Sequence, residues 1–159
     1  MSITLIEYHP NSGSPVTLND LVYPMHNFDV VTNIDSHSFK KLADAGEWPT
    51  FAYPGAMTIT CDGDIVGSGG TPSNDYIAKR LALLDAILPP IQVLTARRHG
   101  FLRIQLDGMT ETADADVQLV DHGVPMQALY PAISPYMIVW KGFLPYFVGT
   151  STQTKYQLG

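Results

Sequence analysis

The stretch "SNDYIAKRLALLDAILPP", residues 73–90, decides the fold, because it is where the chain's apolar residues recur at helical spacing. Ile77, Leu81, Leu84 and Leu88 follow one another at steps of four, three and four, which places them on one face, and Tyr76, Leu83 and Ile87 widen it. Ser73 or Asn74 is positioned to cap the orphan amides of the first turn, and Asp75 suits the positive end of the helix dipole. Pro89 and Pro90 stop the helix, since neither ring can donate the amide that a further turn requires. A helix over 73–88 with one apolar stripe needs a broad apolar surface to lie on. The rest of the chain reads as strand and turn, so the expected surface is the face of a β-sheet.

Upstream of the helix, "MTITCDGDIVG" (57–67) sets Asp62-Gly63 between two runs rich in β-branched residues, which gives either a tight hairpin or a bulged long strand. "MHNFDVVTNI" (25–34) and "ITLIEY" (3–8) are strand candidates, the latter closed by the turn cluster "HPNSGSP". Between 35 and 56 the alternation dissolves. A short helix from Phe39 to Ala45, stopped at Gly46, followed by a long loop holding Trp48, Phe51 and Tyr53, reads as a surface flap. Downstream, "IQVLTARRHG" and "FLRIQLDG" are two strands joined near Arg97, Arg98, His99 and Gly100. In the second, Leu102, Ile104 and Leu106 face one way while Arg103 and Gln105 face the other.

Asp107-Gly108 turns the chain, "TETADADVQLV" (110–120) runs back, and "DHGVP" (121–125) turns it again. "YPAISPYMIVWKGFLPYF" (130–147) closes the fold with a proline-rich entry and a strand pair or bent strand. Residues 149–159 are polar and are expected to form a flexible C-terminal tail. The expected fold class is mainly β (α+β): an antiparallel β-sandwich with one amphipathic helix packed on a sheet face, in a single domain over 1–159.

At 159 residues and 17.4 kDa the chain has the size of one domain, and a globule of this length buries roughly 68–70% of its unfolded surface. Cys61 is the only cysteine, so no intrachain disulfide forms, and it reads as a small apolar core residue. The net charge of −6 argues against tight neutralisation of phosphates, so no specific nucleic-acid recognition is expected. No basic segment followed by an apolar one opens the chain. Its longest apolar run, "MIVWKGFLPYFV" (137–148), is too short to span a bilayer and contains Lys141 and Pro145, so a soluble protein without membrane insertion is expected. Charged residues make up 15% of the chain while 25 of 159 residues are Gly or Pro, a balance suited to short strands, tight turns and surface hidden against copies of the same chain.

Motifs that would carry chemistry are absent from the sequence. His9, His26, His37, His99 and His122 stand far apart, in none of the spacings that aim two imidazoles at one metal. "GSGG" (67–70) lacks the Lys-Ser/Thr of a phosphate loop and the third glycine of a dinucleotide fingerprint, so these glycines serve the chain reversal before the helix. No serine sits in a GxSxG elbow. Asp62 and Asp64, like Asp114 and Asp116, lie two apart and align on a strand, but the ladder of a calcium loop is missing and a solvated acidic face is the reading. The expectation is no enzyme activity, no catalytic, cofactor-binding or metal-binding residues, and no cofactor.

Residues 57–108 carry a resemblance. "ITCDGDIVG", a glycine-rich link, the helix "DYIAKRLALLDAIL" ending in prolines, then "IQVLTA" and "FLRIQLDG" with its Asp-Gly turn, resemble in order and character the ring-forming N-terminal domain of the distal tail proteins of long-tailed bacteriophages. "SPYMIVWKGFLPYF" is similar to the strand pair that closes that domain, so that the likeness spans the last two thirds of the chain. The resemblance implies a structural virion protein: a homo-oligomeric ring, expected to be a hexamer, that docks the tail tube protein above and tail tip or hub proteins below, with DNA passing through its lumen. It implies a place in the virion tail tip, or baseplate, after assembly in the host cytoplasm. The resemblance also implies that larger relatives carry a second, C-terminal domain that can take part in host adhesion, a role that is not expected of these 159 residues.

An acidic lumen would let DNA slide without sticking, and Asp62, Asp64, Asp107, Asp114 and Asp116 are its candidates. Two other readings stay open. A tail-tube or tail-terminator subunit shares the organisation of strands plus one helix, and a carbohydrate-binding β-sandwich would use Trp48, Phe51, Tyr53 and Tyr130 as stacking platforms.

Overall fold

Period-two alternation does most of the building. A computed structural model describes residues 2–11, 13–40, 47–88, 100–126 and 132–159. Within them run β1 (Ile3–His9), β2 (Val16–Thr17), β3 (Met25–Lys40), β4 (Glu47–Val66), α1 (Pro72–Ile87), β5 (Gly100–Leu106), β6 (Ala113–Gly123), β7 (Ile133–Gly142), β8 (Phe147–Gly149) and β9 (Lys155–Tyr156). In β5, Leu102, Ile104 and Leu106 are buried while Arg103 and Gln105 face outward, and in β7 Ser134, Tyr136, Ile138 and Trp140 are buried in the same alternation. Antiparallel pairing joins the strands in the order β2-β1-β5-β6-β7-β4-β3, with β8 on β6 and β9 on β8.

Strand β6 makes this path a sandwich. Its first half, Ala113–Val117, pairs with β5, and its second, Val117–Gly123, with β7, with a register shift between Leu119 and Asp121. The sheet bends there, and its two wings fold face to face. In a flat sheet β1 and β7 would stand three strand spacings apart, about 14 Å, yet Tyr8 of β1 stacks on Trp140 of β7 with ring centroids 5.6 Å apart. The Tyr136 hydroxyl of β7 donates to the Leu18 carbonyl of the segment after β2 at 3.2 Å. Between the wings lie Ile6, Leu18, Met57, Ile59, Cys61, Leu102, Ile104 and Phe147, all fully buried. The fold is therefore the expected antiparallel β-sandwich with one helix.

The helix is rotated toward one side of its expected face, whose members Tyr76, Leu83 and Ile87 are buried and Leu84 and Leu88 pack against the core. Tyr76, Leu83, Ala86 and Ile87 are buried, whereas Leu81 is 56% exposed and Ile77 36% exposed. Hydrogen bonds set this rotation: Tyr23 Oη donates to the Lys79 carbonyl (2.8 Å), Tyr76 Oη to the Pro125 carbonyl (3.3 Å), and Arg80 to the Val124 carbonyl (2.9 and 3.2 Å). Both sides of the stripe are apolar, so periodicity alone does not choose between them. The N-cap is Thr71, without a side-chain cap bond, and not Ser73 or Asn74, because Pro72 takes the first helical position. Leu88 ends the helix in the extended conformation that a following proline imposes.

Other expectations are corrected or resolved between their alternatives. The flap over 35–56 is strand: β3 continues to Lys40 and β4 begins at Glu47, paired from Asp35↔Tyr53 to Lys40↔Glu47. Phe39 and Lys40 belong to β3, and the remainder of the expected helix, 41–45, with its stop at 46, lies outside the described residues. Register shifts at Thr32/Ile34 and His37/Ser38 reset the alternation of faces, which hides the strands from a pattern reading. Asp62-Gly63 makes no hairpin. A two-residue turn of this type needs positive φ at both positions, and among the described glycines only Gly13, Gly69 and Gly108 have it. The bulged long strand is the observed alternative, with the shift at Met25/Asn27 facing Gly63 and Asp62.

"DHG" (121–123) belongs to β6 instead of a turn, because β7 pairs with it as far as Gly123↔Met137. At the C-terminal side β7 and β8 are separate strands that pair elsewhere, β8 with β6 and β9. The strand expected over 91–99 lies outside the described residues. Residues 149–159 contain β9, and Leu158 packs against the core.

Two stability measurements check this packing. Trp140→Ala should cost about 3–5 kcal/mol in urea unfolding, while Trp140→Phe should cost far less, because the buried indole N–H finds no acceptor among the described residues. Leu83→Asp should destabilise severely by placing an unpaired charge in the core, whereas Leu81→Asp should be close to neutral; equal effects at the two positions would refute the observed helix rotation.

Candidate assembly surfaces

Strand β4 is longer than the sheet that holds it. Residues Met57–Gly63 pair with β7 on one side and β3 on the other, and Asp64–Val66 continue along β7, but before Met57 the pairing is with β3 alone among the described residues. Ile34–Lys40 and Glu47–Pro54 thus form a two-stranded ribbon beyond the sandwich, roughly 20 Å long at the rise of a strand. Such a ribbon is at best marginally stable alone in water. At its base Ile34 is 72% exposed. Strand β3 also ends the order of the sheet, so its outer edge has no strand partner among the described residues. Trp48, Phe51 and Tyr53 fall on β4 within the ribbon, His37 lies opposite Phe51 in its register, and Tyr130 and His99 lie outside the described residues.

The sandwich has two outer faces. On the β3-β4-β7 wing, the register places Asn27, Asp62 and Met137 in one row, Asp29, Thr60 and Val139 in the next, and Val31, Thr58 and Lys141 in a third. Asp64 extends this face and takes a 2.7 Å contact from His26 Nε2. On the β1-β5-β6 wing, His9 contacts Glu7 (2.9 Å) and stacks on Phe101 (centroids 4.5 Å). Arg103 lies over that ring and makes a two-pronged pair with Asp114 (2.8 Å each). The Asp114 carboxylate beside it holds the Arg103 guanidinium charged even more firmly than usual. Asp62 and Asp64 therefore share one outer face, while Asp114 and the exposed Asp116 belong to the wing that faces away from it, and Asp107 is exposed just after β5.

The remaining chemical candidates are structural. Burial pushes the Cys61 thiol up to about 12, so it carries no thiolate at neutral pH; its sulfur lies 3.9 Å from the Tyr136 hydroxyl. The glycine-rich link binds the chain's own carboxylate: Asp75 accepts from the Ser68 amide (2.6 Å) and pairs with Lys79 (2.7 Å), with Lys79 the larger cause of its lowered pKa. Among the described residues no three His, Cys, Asp or Glu side chains gather as metal ligands, and no helix is long and apolar enough to cross a membrane.

Sequence reading gave Glu111 no role, yet it organises the C-terminal turn. Its carboxylate accepts from the amides of Ser151 (2.6 Å) and Thr152 (3.0 Å), from the Thr152 hydroxyl and from Tyr156 Oη (3.3 Å). A β-carbon on Gly149 would collide with this carboxylate, so glycine there is what lets Glu111 reach the turn. Thr150 donates its amide and its hydroxyl to the Thr112 carbonyl, and the Gly149 amide donates to Thr154. An isolated Glu in "TETADADV" offers no local signal, because its partners are about 40 residues away.

No family model matches the chain, and no curated relative matches it. Among solved structures it is similar to a chain in the tail of an empty GTA particle of C6 symmetry, at 10% identity over 92% of this chain and 95% of that one, with a TM-score of 0.45.

The Glu111 clamp has a predictable pH dependence. The Thr152 hydroxyl and then the Ser151 amide hold the carboxyl below its ordinary value, so the clamp is fully formed above the ordinary Glu pKa and is lost as pH falls through the lowered one. Titration from about pH 6 to about pH 3 should release the Ser151 and Thr152 amides to exchange after correction for intrinsic rates, and Glu111→Gln should abolish that titration.

Proposed function

We propose that this chain is a ring-forming structural subunit of a long-tailed phage tail, at the distal end of the tube. There a homo-oligomeric ring, in our reading a hexamer, joins the tail tube to tip or hub proteins in the virion, after assembly in the host cytoplasm. The whole chain acts as one tail-ring domain and performs no catalysis. The observation that carries the reading is the two-stranded ribbon next to the outer edge of β3, with which no described strand pairs. A marginal ribbon and an open edge are both completed by an identical neighbour, and a head-to-tail contact that repeats after a fixed rotation closes into a ring. The sequence resemblance over 57–108 supports the same assignment.

The lumen in this reading is lined by the β3-β4-β7 face, where Asp29, Asp62 and Asp64 outnumber Lys141 and repel phosphate. Asp114 and Asp116, on the other wing, stay outside it, so the five acidic candidates divide between two surfaces. A tube subunit, stacking ring on ring, is the second reading. The reach of the ribbon beyond the sandwich favours it, since such an arm spans to a neighbour along a stack as readily as around a ring.

Native mass spectrometry of the purified protein should show a closed oligomer, with indefinite stacking identifying the tube reading instead. Replacing residues 35–53 by an Asn-Gly turn should leave the sandwich folded by circular dichroism but monomeric. A monomer at every concentration, alone and mixed with tube protein, would overturn both readings.

A further inference from the structure

The outer edge of β3 is not bare in the isolated subunit. A β-carbon on Gly159 would collide with the Val30 carbonyl oxygen and lie 3.1 Å from the Thr32 amide nitrogen, so residue 159 already lies against these two groups. The carbonyl of one residue and the amide of the next but one project from the same side of a strand, and β4 occupies the opposite side of β3. Leu158, just before, is partly buried against the core. The segment that delivers these two residues is fixed upstream by the Glu111 clamp, by the short β8–β9 pairing and by Gln153 held at φ 58, a left-handed conformation that favours glycine.

We propose that residues 150–159 form a strap that masks the β3 edge at Val30–Thr32, with Glu111 as its latch, and that a second copy of this chain adds its strand to β3 only when the strap is displaced. The inference rests on the reading of a self-assembling subunit. An exposed edge of this length invites indiscriminate pairing, and a strap from the same chain blocks it at low concentration. A neighbour's strand replaces it once assembly supplies the backbone hydrogen bonds of a ladder, where Leu158 and Gly159 supply only packing contact. The latch is suited to this role because most of its partners are peripheral: Glu111 is bonded to the exposed turn at Ser151 and Thr152 and to Tyr156 at the margin of the core, so its release leaves the fully buried residues in place.

Two variants separate the strap from the fold. Glu111→Gln removes the latch, and Gly159→Val lifts the end of the strap without touching the clamp. Backbone amide exchange of the dilute monomer reads the mask, and time-resolved light scattering reads assembly. Both variants should raise exchange at the Thr32 amide by about tenfold or more while the core amides of β7 stay protected, and both should assemble faster than the parent chain. Unchanged exchange at Thr32 overturns the strap, and raised exchange with unchanged assembly overturns its role as a guard. Should neither variant nor parent ever assemble, the ring reading and the guard fall together, while the exchange arm still decides whether the strap exists.

Discussion

Strand β6 has two edges and three claimants, and its division among them governs the molecule. Its first half is held by β5 and, at Ala113 and Asp114, by β8; its second half goes to β7. Because β5 and β7 bind successive halves, the sheet cannot continue flat through β6, and the wings close on each other with Tyr8 against Trp140. The interior so formed is largely apolar. Its buried Ser134 hydroxyl is bound to the Pro125 carbonyl at 2.6 Å and Tyr136 is bound to Leu18, so these two polar groups arrive with partners, whereas the Trp140 indole N–H finds none among the described residues.

The helix then has a narrower task than its length implies. It contributes Tyr76, Leu83, Ala86 and Ile87 to the common core, and its carbonyls and cationic side chains tie down the connections at 22–24 and 124–125. Those connections bring the chain from one wing to the other, where the amides of Asp64 and Val66 donate to the carbonyls of Pro24 and Val22. Tyr23, buried beside them with Asp20 and Asp75 nearby, has its hydroxyl pushed up to about 12 and stays a neutral donor. What the helix leaves open is as informative as what it covers, since the ribbon and the β3 edge remain outside the closed sandwich.

Much of this architecture is legible in the residues. The strands with clean alternation, β5 and β7, stand where their patterns put them, because one face of each meets the core along its whole length, and β1 does so from Ile6 to Tyr8. The ribbon is illegible for the opposite reason: no described strand but its own partner flanks it, and its register shifts erase the period of two. The acidic pairs were readable as pairs, but their assignment to different outer faces depends on the bend at β6. Glu111 was unreadable, because its partners come from the far end of the chain.

By itself, the sequence determined the local grammar: one helix between a glycine-rich link and a pair of prolines, β-branched and aromatic runs for strands, a lone cysteine inside, and too little positive charge for a phosphate-binding surface. The tertiary structure alone decided which side of the wide apolar helix stripe is buried deepest, whether Asp62-Gly63 turns or runs straight, and which carboxylate holds the final turn. Periodicity fixes which residues share a face, whereas the choice among faces and partners is made by contacts between segments tens of residues apart, and those exist only once the wings have closed.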